Sequence, residues 1–183
     1  MMIIYLKVTL IDMVGNFKLL MILLYCLSCK NIETQKANII KEAINENIGV
    51  LIENPQYFDI ENKEDTVYLS KSIVRMNNYD EIKNIFSNRF NLHNNDLQPI
   101  LLNLNVIPIS DVNGYKVSLI EDTQYLDNKI TFQFANAFIN EDMNYFCIEV
   151  ISQHGIGSKF MLYLFRKDKS KWLLVEKKLI AIG

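Results

Sequence analysis

The spacing of apolar residues changes along this chain, and the pattern after residue 114 most restricts the folds that it can adopt. Five runs of strand length, rich in aromatic and β-branched residues, follow one another there. They are Tyr115–Ile120, Ile130–Phe138, Tyr145–Ser152, Lys159–Arg166 and Lys171–Ile180. Turn-forming residues separate them, including Asp127-Asn128, Asn140-Glu141-Asp142, Gly155-Ile156-Gly157 and Asp168-Lys169-Ser170. Consecutive strands with short turns between them predict an antiparallel β-meander.

The residues before this pattern favour helices. Between Ile32 and Ile48, apolar residues recur at intervals of three and four, which predicts an amphipathic helix. Asn78 precedes two acidic residues and an apolar stripe that ends at Phe90, and this order predicts an N-cap and a second helix. A third, short helix is predicted from Asn95 to Leu104, with Pro99 near its first turn. The segment Thr66–Met76 fits either a strand or a helix.

Helices followed by a run of strands predict the α+β class. We expect N-terminal helices to pack on one face of a C-terminal antiparallel β-meander of about four to five strands. Half of the 183 residues are apolar and 22% are charged, which is typical of one globular domain. Trp172 and Phe165 fall on adjoining strands of the meander, and we expect both to face the core.

The first thirty residues have a different composition. Lys18 is followed by the apolar run Leu19–Leu27, then by the small residue Ser28 and by Cys29. A cationic residue, a short apolar stretch and a small residue are the layout of a secretory signal peptide. The run is about half of the ~20 residues that a helix needs to span a bilayer. The translation start is either Met1 or Met13.

The alternative is a single signal anchor from Met1 to Leu27. Such a helix would carry Lys7, Asp12 and Lys18, and each charge near its centre costs roughly 2.5 to 3.5 kcal/mol. The cost favours the signal peptide.

Leu27-Ser28-Cys29 resembles a bacterial lipobox, the site at which a cysteine is acylated before the chain is cut on its N-terminal side. Cys26 stands where that motif usually has Leu, Val or Ile. The resemblance implies that residues 1–28 are a signal peptide, that Cys29 carries a palmitate-type lipid anchor, and that residues 29–183 form one α+β domain after a short tether. With Cys29 acylated, only Cys147 would remain free, so no intramolecular disulfide is expected.

The C-terminal strands resemble those of uncharacterised small lipoproteins of the Bacteroidota. The resemblance is carried by Gly157-Ser158, the apolar strand Met161–Phe165, the charged turn Arg166–Asp168 and the Lys-Trp strand Lys171–Val175. It implies a protein of the bacterial cell envelope, lipid-anchored to a membrane and either periplasmic or exposed on the surface.

No residue is predicted to be catalytic, to bind a cofactor or to bind a metal. Gly155 and Gly157 lack the spacing of a phosphate-binding loop and have strand patterns on both sides, which indicates a hairpin turn. His93 and His154 are far apart and have no zinc-ligand spacing. Cys147 lies in an apolar run, where a thiol is usually inert packing, and no third group completes a Cys147–His154 pair.

We therefore expect a lipid-anchored, non-catalytic binding or accessory domain with an unknown protein partner. The formal net charge of -2 argues against nucleic acid as a partner. One alternative is a small-ligand pocket or enzyme on a cone-shaped fold of the nuclear-transport-factor or cystatin kind, by fold analogy alone. The other is a membrane-tethered inhibitor or immunity-type protein.

Overall fold

The computed structural model describes residues 34–53, 66–100, 104, 111–121, 129–155 and 157–183. The predicted signal peptide, Cys29 and the predicted turn at Asp127-Asn128 lie outside these residues. The chain divides into two compact units, Met1–Asn38 and Ile39–Gly183. Of the first unit, residues 34–38 are described, and they are helical.

Two α-helices occur among the described residues. Helix α1 covers residues 34–51, so it confirms the predicted amphipathic helix and continues beyond Ile48. Its buried apolar residues include Ile40 and Ile44, which are one turn apart. Helix α2 is Tyr79–Phe90, and it ends at Asn91, which has a left-handed backbone. Neither of these helices is long and apolar enough to cross a membrane.

The predicted third helix is wrong. A single 3-10 turn, Asn94–Asp96, leads into strand β2, Leu97–Ile100. Strand β2 pairs antiparallel with the end of β5, Thr131–Asn140, and places Pro99 opposite Phe138. Proline lacks a backbone N–H, and among the described strands β2 pairs with β5 alone, so Pro99 is tolerated at this edge.

The remaining strands are β1, Thr66–Ser70; β3, Asp111–Val112; β4, Tyr115–Ile120; β6, Tyr145–His154; β7, Gly157–Asp168; and β8, Lys171–Ile182. Their order in the sheet is β3-β4-β1-β5-β6-β7-β8. Strands β5 to β8 form the predicted antiparallel meander. Strand β1 lies between β4 and β5 and runs parallel to both, so the whole sheet is mixed and not a pure meander.

The two helices cover opposite faces of the sheet, which corrects the prediction that they share one face. Ile44 of α1 belongs to one apolar core with Ile148 of β6, whereas Phe86 of α2 belongs to a second core with Cys147. Successive residues of a strand point to opposite faces, so β6 supplies both cores. Because both faces of its central strands are apolar, the sheet needs a cover on each side.

The predicted orientation of Trp172 and Phe165 is confirmed. Both side chains are buried, and both lie in the core that contains α1. The indole of Trp172 meets the ring of Phe146 edge to face, with 6.0 Å between ring centroids.

Candidate functional site

A buried carboxylate lies at the centre of the face that α2 covers. Glu149 of β6 is fully buried two residues after Cys147, opposite Ala135 of β5. Its Oε1 accepts a hydrogen bond of 2.7 Å from Nδ2 of Asn78, and its Oε2 accepts one of 2.7 Å from Nδ2 of Asn136. No described cation forms a salt bridge with Glu149. The carboxylate is therefore held by amide donors from two different elements.

Asn136 occupies an irregular point of strand β5. The pairing of β5 with β6 shifts between Ala135 and Phe138, and Asn136 has a φ of 37°. This left-handed backbone costs most residues about 1 to 2 kcal/mol, although Asn tolerates it better than others. Strained backbone of this kind is concentrated at functional sites, where surrounding contacts hold it in place.

The side chain and backbone of Asn136 bind the segment that precedes α2. Its N–H donates to the carbonyl of Val74 at 2.9 Å, and its Oδ1 accepts from the N–H of Met76 at 2.9 Å. Its Nδ2 donates to Oδ1 of Asn78 at 2.6 Å as well as to Glu149. The predicted N-cap residue, Asn78, stands at the N-cap but makes no side-chain capping bond, because its amide group is used in this network.

The pKa of Glu149 is raised above its ordinary value, chiefly because burial disfavours the charged carboxylate. The hydrogen bonds from Asn78 and Asn136 act in the opposite direction, since they stabilise the ionised form. The negative charge of Glu81, in the first turn of α2, raises the pKa further. Buried acids with a shifted pKa near a cleft are candidates for functional sites.

Two clefts open beside this network. Asn136 lines one of about 80 Å³, together with Arg75, Tyr79 and Ile100. A more polar cleft of about 350 Å³ is lined by Arg75, Tyr79 and Asp80 among others. Glu149 does not line either cleft. The two clefts therefore share Arg75, which is exposed, and Tyr79, which is half-buried. Both are next in sequence to residues of the network, Met76 and Asn78.

Arg75 and Tyr79 form a cation–π pair. The guanidinium carbon of Arg75 is 3.8 Å from the centroid of the Tyr79 ring, and that ring is 4.7 Å from the ring of Phe138. Arg75 is exposed, and no described carboxylate forms an ion pair with it. A guanidinium that stacks on an aromatic ring keeps its planar edge available for a bidentate carboxylate. The site can therefore hold an anionic group.

The residues that the sequence singled out lie elsewhere. Cys29 is outside the described residues. Cys147 is buried, and burial raises the pKa of its thiol well above the usual range, so it is neutral packing, as predicted. His154 is seven residues away on the same strand, or roughly 23 Å at strand spacing, so the two do not form a nucleophilic pair. His93 is exposed before the 3-10 turn.

The glycine-rich segment can also be compared with its prediction. Gly155 follows strand β6, and Gly157 is the first residue of the antiparallel strand β7, so the glycine-rich segment joins two antiparallel strands as predicted. The described residues contain no group of three or more His, Cys, Asp or Glu side chains that could hold a metal ion.

Glu149, Asn136 and Arg75 were not predicted as site residues. Glu149 carried the one available signal, because it is the only charged residue in the apolar run Phe146–Ile151. A lone carboxylate in a buried strand requires hydrogen-bond donors or a cation. The identity of these donors depends on the bulge at Asn136. No local pattern in the sequence indicates a bulge there.

Comparisons of this chain with protein-family models, with curated proteins and with solved structures found no match.

Proposed function

We propose that this protein is a lipid-anchored, non-catalytic binding domain of the bacterial cell envelope, and that the Arg75–Tyr79 clefts are its recognition surface. The observation that carries the proposal is the exposed guanidinium of Arg75, 3.8 Å from the ring centroid of Tyr79, beside a hydrogen-bonded network in which Glu149 and Asn136 are buried. The anchor is the acyl group proposed on Cys29.

The network supports recognition because it fixes the backbone on both sides of Arg75. The N–H of Val74 donates to the carbonyl of Phe134, and the N–H of Met76 donates to Asn136. Binding to a surface that is already ordered avoids the entropy loss of ordering flexible side chains. The backbone of Arg75 thus belongs to a segment tied to the central sheet.

The charges of the clefts indicate the kind of partner. Arg75 offers donors to a carboxylate, while Asp80 lines the larger cleft and offers an acceptor of opposite charge. A protein segment that presents a carboxylate to Arg75 and an N–H or ammonium group to Asp80 satisfies both. The apolar wall formed by Pro99 and Ile100 in the smaller cleft suits an aliphatic side chain of the same segment.

Cross-linking in envelope membranes tests the proposal. Arg75→Gln removes the guanidinium, and Arg166→Gln makes the same change at another exposed arginine, on β7. We expect the full-length wild type to cross-link to a defined envelope protein, Arg75→Gln to lose this product by about tenfold or more, and Arg166→Gln to retain it. Equal yields from the two variants, or no specific product with the wild type, would contradict the proposed surface.

A further inference from the structure

Strand β8 is an edge of the sheet with exposed apolar side chains. It is the last strand in the order and pairs only with β7 among the described strands. Several of its large apolar residues are well exposed, with Leu173 at 42% and Leu179 at 48%. The others are Leu174, Val175 and Ile182. An edge of this kind presents unpaired backbone groups together with apolar surface, and both favour the addition of another strand.

The residues of β8 are arranged symmetrically about Lys177. Glu176 and Lys178 are its immediate neighbours, and four apolar residues lie on each side of these three charges. The apolar segments are Trp172–Val175 and Leu179–Ile182. A strand with this pattern is complementary to its own antiparallel copy.

We infer that β8 pairs antiparallel with β8 of a second copy of this chain, about a two-fold axis at Lys177. This register places Glu176 opposite Lys178 twice, once on each side of the axis. It also places Val175 opposite Leu179. Opposed charges and apolar pairs both stabilise cross-strand contacts.

Neighbouring registers are less favourable. Two strands that pair about a two-fold axis perpendicular to the sheet can shift only in steps that keep each side chain on its own face. One step places Glu176 against Glu176, and the opposite step places Lys178 against Lys178. Both steps also put apolar residues against charged ones. The mismatch of apolar with charged residues in both shifted registers, together with the loss of the Glu176–Lys178 pairs, therefore selects the register centred on Lys177.

The lysines of β8 do not prevent this pairing, although lysine often protects an edge strand. Nζ of Lys177 is ion-paired with Glu53 of the same copy, which offsets the approach of the two Lys177 side chains at the axis. Lys178 faces Glu176 of the other copy, whose second partner is Nε of Arg89 in its own copy, at 2.6 Å. Strand β8 has two bulges against β7, at Val175 and Ile180. The bulges increase the twist of the edge, and the two-fold axis gives both copies the same sense of twist.

Disulfide trapping in the intact chain, purified in mild detergent, tests the register. At the axis the two Lys177 Cα atoms would be about 4.5 to 5.5 Å apart, which suits a disulfide, so Lys177→Cys should form a covalent dimer on mild oxidation. In the same register two Leu173 residues are roughly 27 Å apart, so Leu173→Cys should not. The wild type, with its native cysteines, measures the background. Absence of a Lys177→Cys dimer above that background, or equal trapping at Leu173, would overturn the proposal.

Sedimentation equilibrium gives a second measurement that requires no new cysteine. Lys178→Glu places like charges opposite each other twice, whereas Lys169→Glu makes the same charge change in the β7–β8 turn, outside the paired stretch. We expect a concentration-dependent wild-type dimer, a dissociation constant raised about tenfold or more by Lys178→Glu, and little effect of Lys169→Glu. A monomeric wild type that instead binds phosphatidylglycerol vesicles through Leu174 and Leu179 would overturn the dimer in favour of a lipid surface.

Discussion

Trp172 combines features that make it a sensitive position for stability. Its side chain is 3% exposed and contacts Phe146, and its backbone N–H donates to the Glu46 carboxylate at 2.9 Å. Truncation of a buried tryptophan leaves a cavity, so Trp172→Ala should lower the free energy of unfolding by roughly 3 to 5 kcal/mol. Urea denaturation measures this loss. Lys171→Ala, at the exposed neighbouring position, should stay within about 0.5 kcal/mol.

The indole N–H of Trp172 refines the prediction. Nε1 is buried and has no hydrogen-bond partner in the described part of the protein. Trp172→Phe keeps an aromatic ring in the core and removes this unpaired donor, so it should cost clearly less than Trp172→Ala. Equal losses for Phe and Ala would show that the ring contributes little to packing there.

Glu149 should make stability depend on pH in a defined direction. Its folded-state pKa is raised, so the folded protein retains the proton over a range in which the unfolded chain has already lost it. Stability contributed by this group is therefore present below the unfolded-state pKa and falls as the pH rises through the folded-state pKa. Glu149→Gln cannot ionise, so its stability lacks this dependence on pH.

The measurement is the difference in unfolding free energy between the wild type and Glu149→Gln, followed from about pH 4 to pH 8. We expect the wild type to lose stability relative to the variant as the pH rises. A constant difference would mean that the amide donors balance the effect of burial, and a difference that changes in favour of the wild type at higher pH would mean that they outweigh it; either result would contradict the prediction.

The bulge of β5 is the element that joins the buried network to the surface. Asn136→Ala removes the hydrogen bonds to Glu149, Asn78 and Met76 and keeps a Cβ at a φ of 37°, whereas Asn136→Gly removes the same bonds but relaxes the backbone. We expect both variants to be destabilised, and Asn136→Ala by about 1 kcal/mol more than Asn136→Gly. The difference in unfolding free energy between these two variants, measured by heat or urea, gives the cost of the left-handed backbone. A glycine variant less stable than the alanine variant would argue against strain at this residue.

At the scale of strands and helices, the sequence predicted those elements whose ends are determined by interactions between residues close together in the chain. The ends of β5 to β8 lie within about two residues of their predicted positions, because alternating side chains and turn residues are visible in a short window. The insertion of Thr66–Ser70 between β4 and β5 was not predictable, since parallel pairing joins segments that are distant in the chain. Pro99 does not distinguish a helix from a strand, because proline fits both a first helical turn and an edge strand.

The site was harder to predict than the strands. Asn78 carries a local N-cap signal, yet its side chain binds Glu149, which is 71 positions away. In the sequence, Asn136 has no feature that separates it from other polar residues. Its left-handed backbone arises from the shift in register between β5 and β6, which involves two strands. The network exists only after three separate segments have met, and composition or spacing within any one of them does not indicate it.

At the scale of the whole molecule, the remaining prediction concerns attachment to a membrane. The pattern from Lys18 through Leu27-Ser28-Cys29 predicts acylation of Cys29. Each buried acyl CH₂ contributes about 0.8 kcal/mol, and stable anchoring takes at least two chains, which a diacylglyceryl-cysteine supplies. Cys29→Ala should therefore abolish incorporation of labelled palmitate and leave an uncleaved precursor or a secreted soluble form.

The control is Cys26→Ala, three residues earlier, which should still incorporate labelled palmitate. Labelling that persists in Cys29→Ala would contradict the assigned site, and a wild type that never labels and retains Met1 in its intact mass would favour a signal anchor over Met1–Leu27.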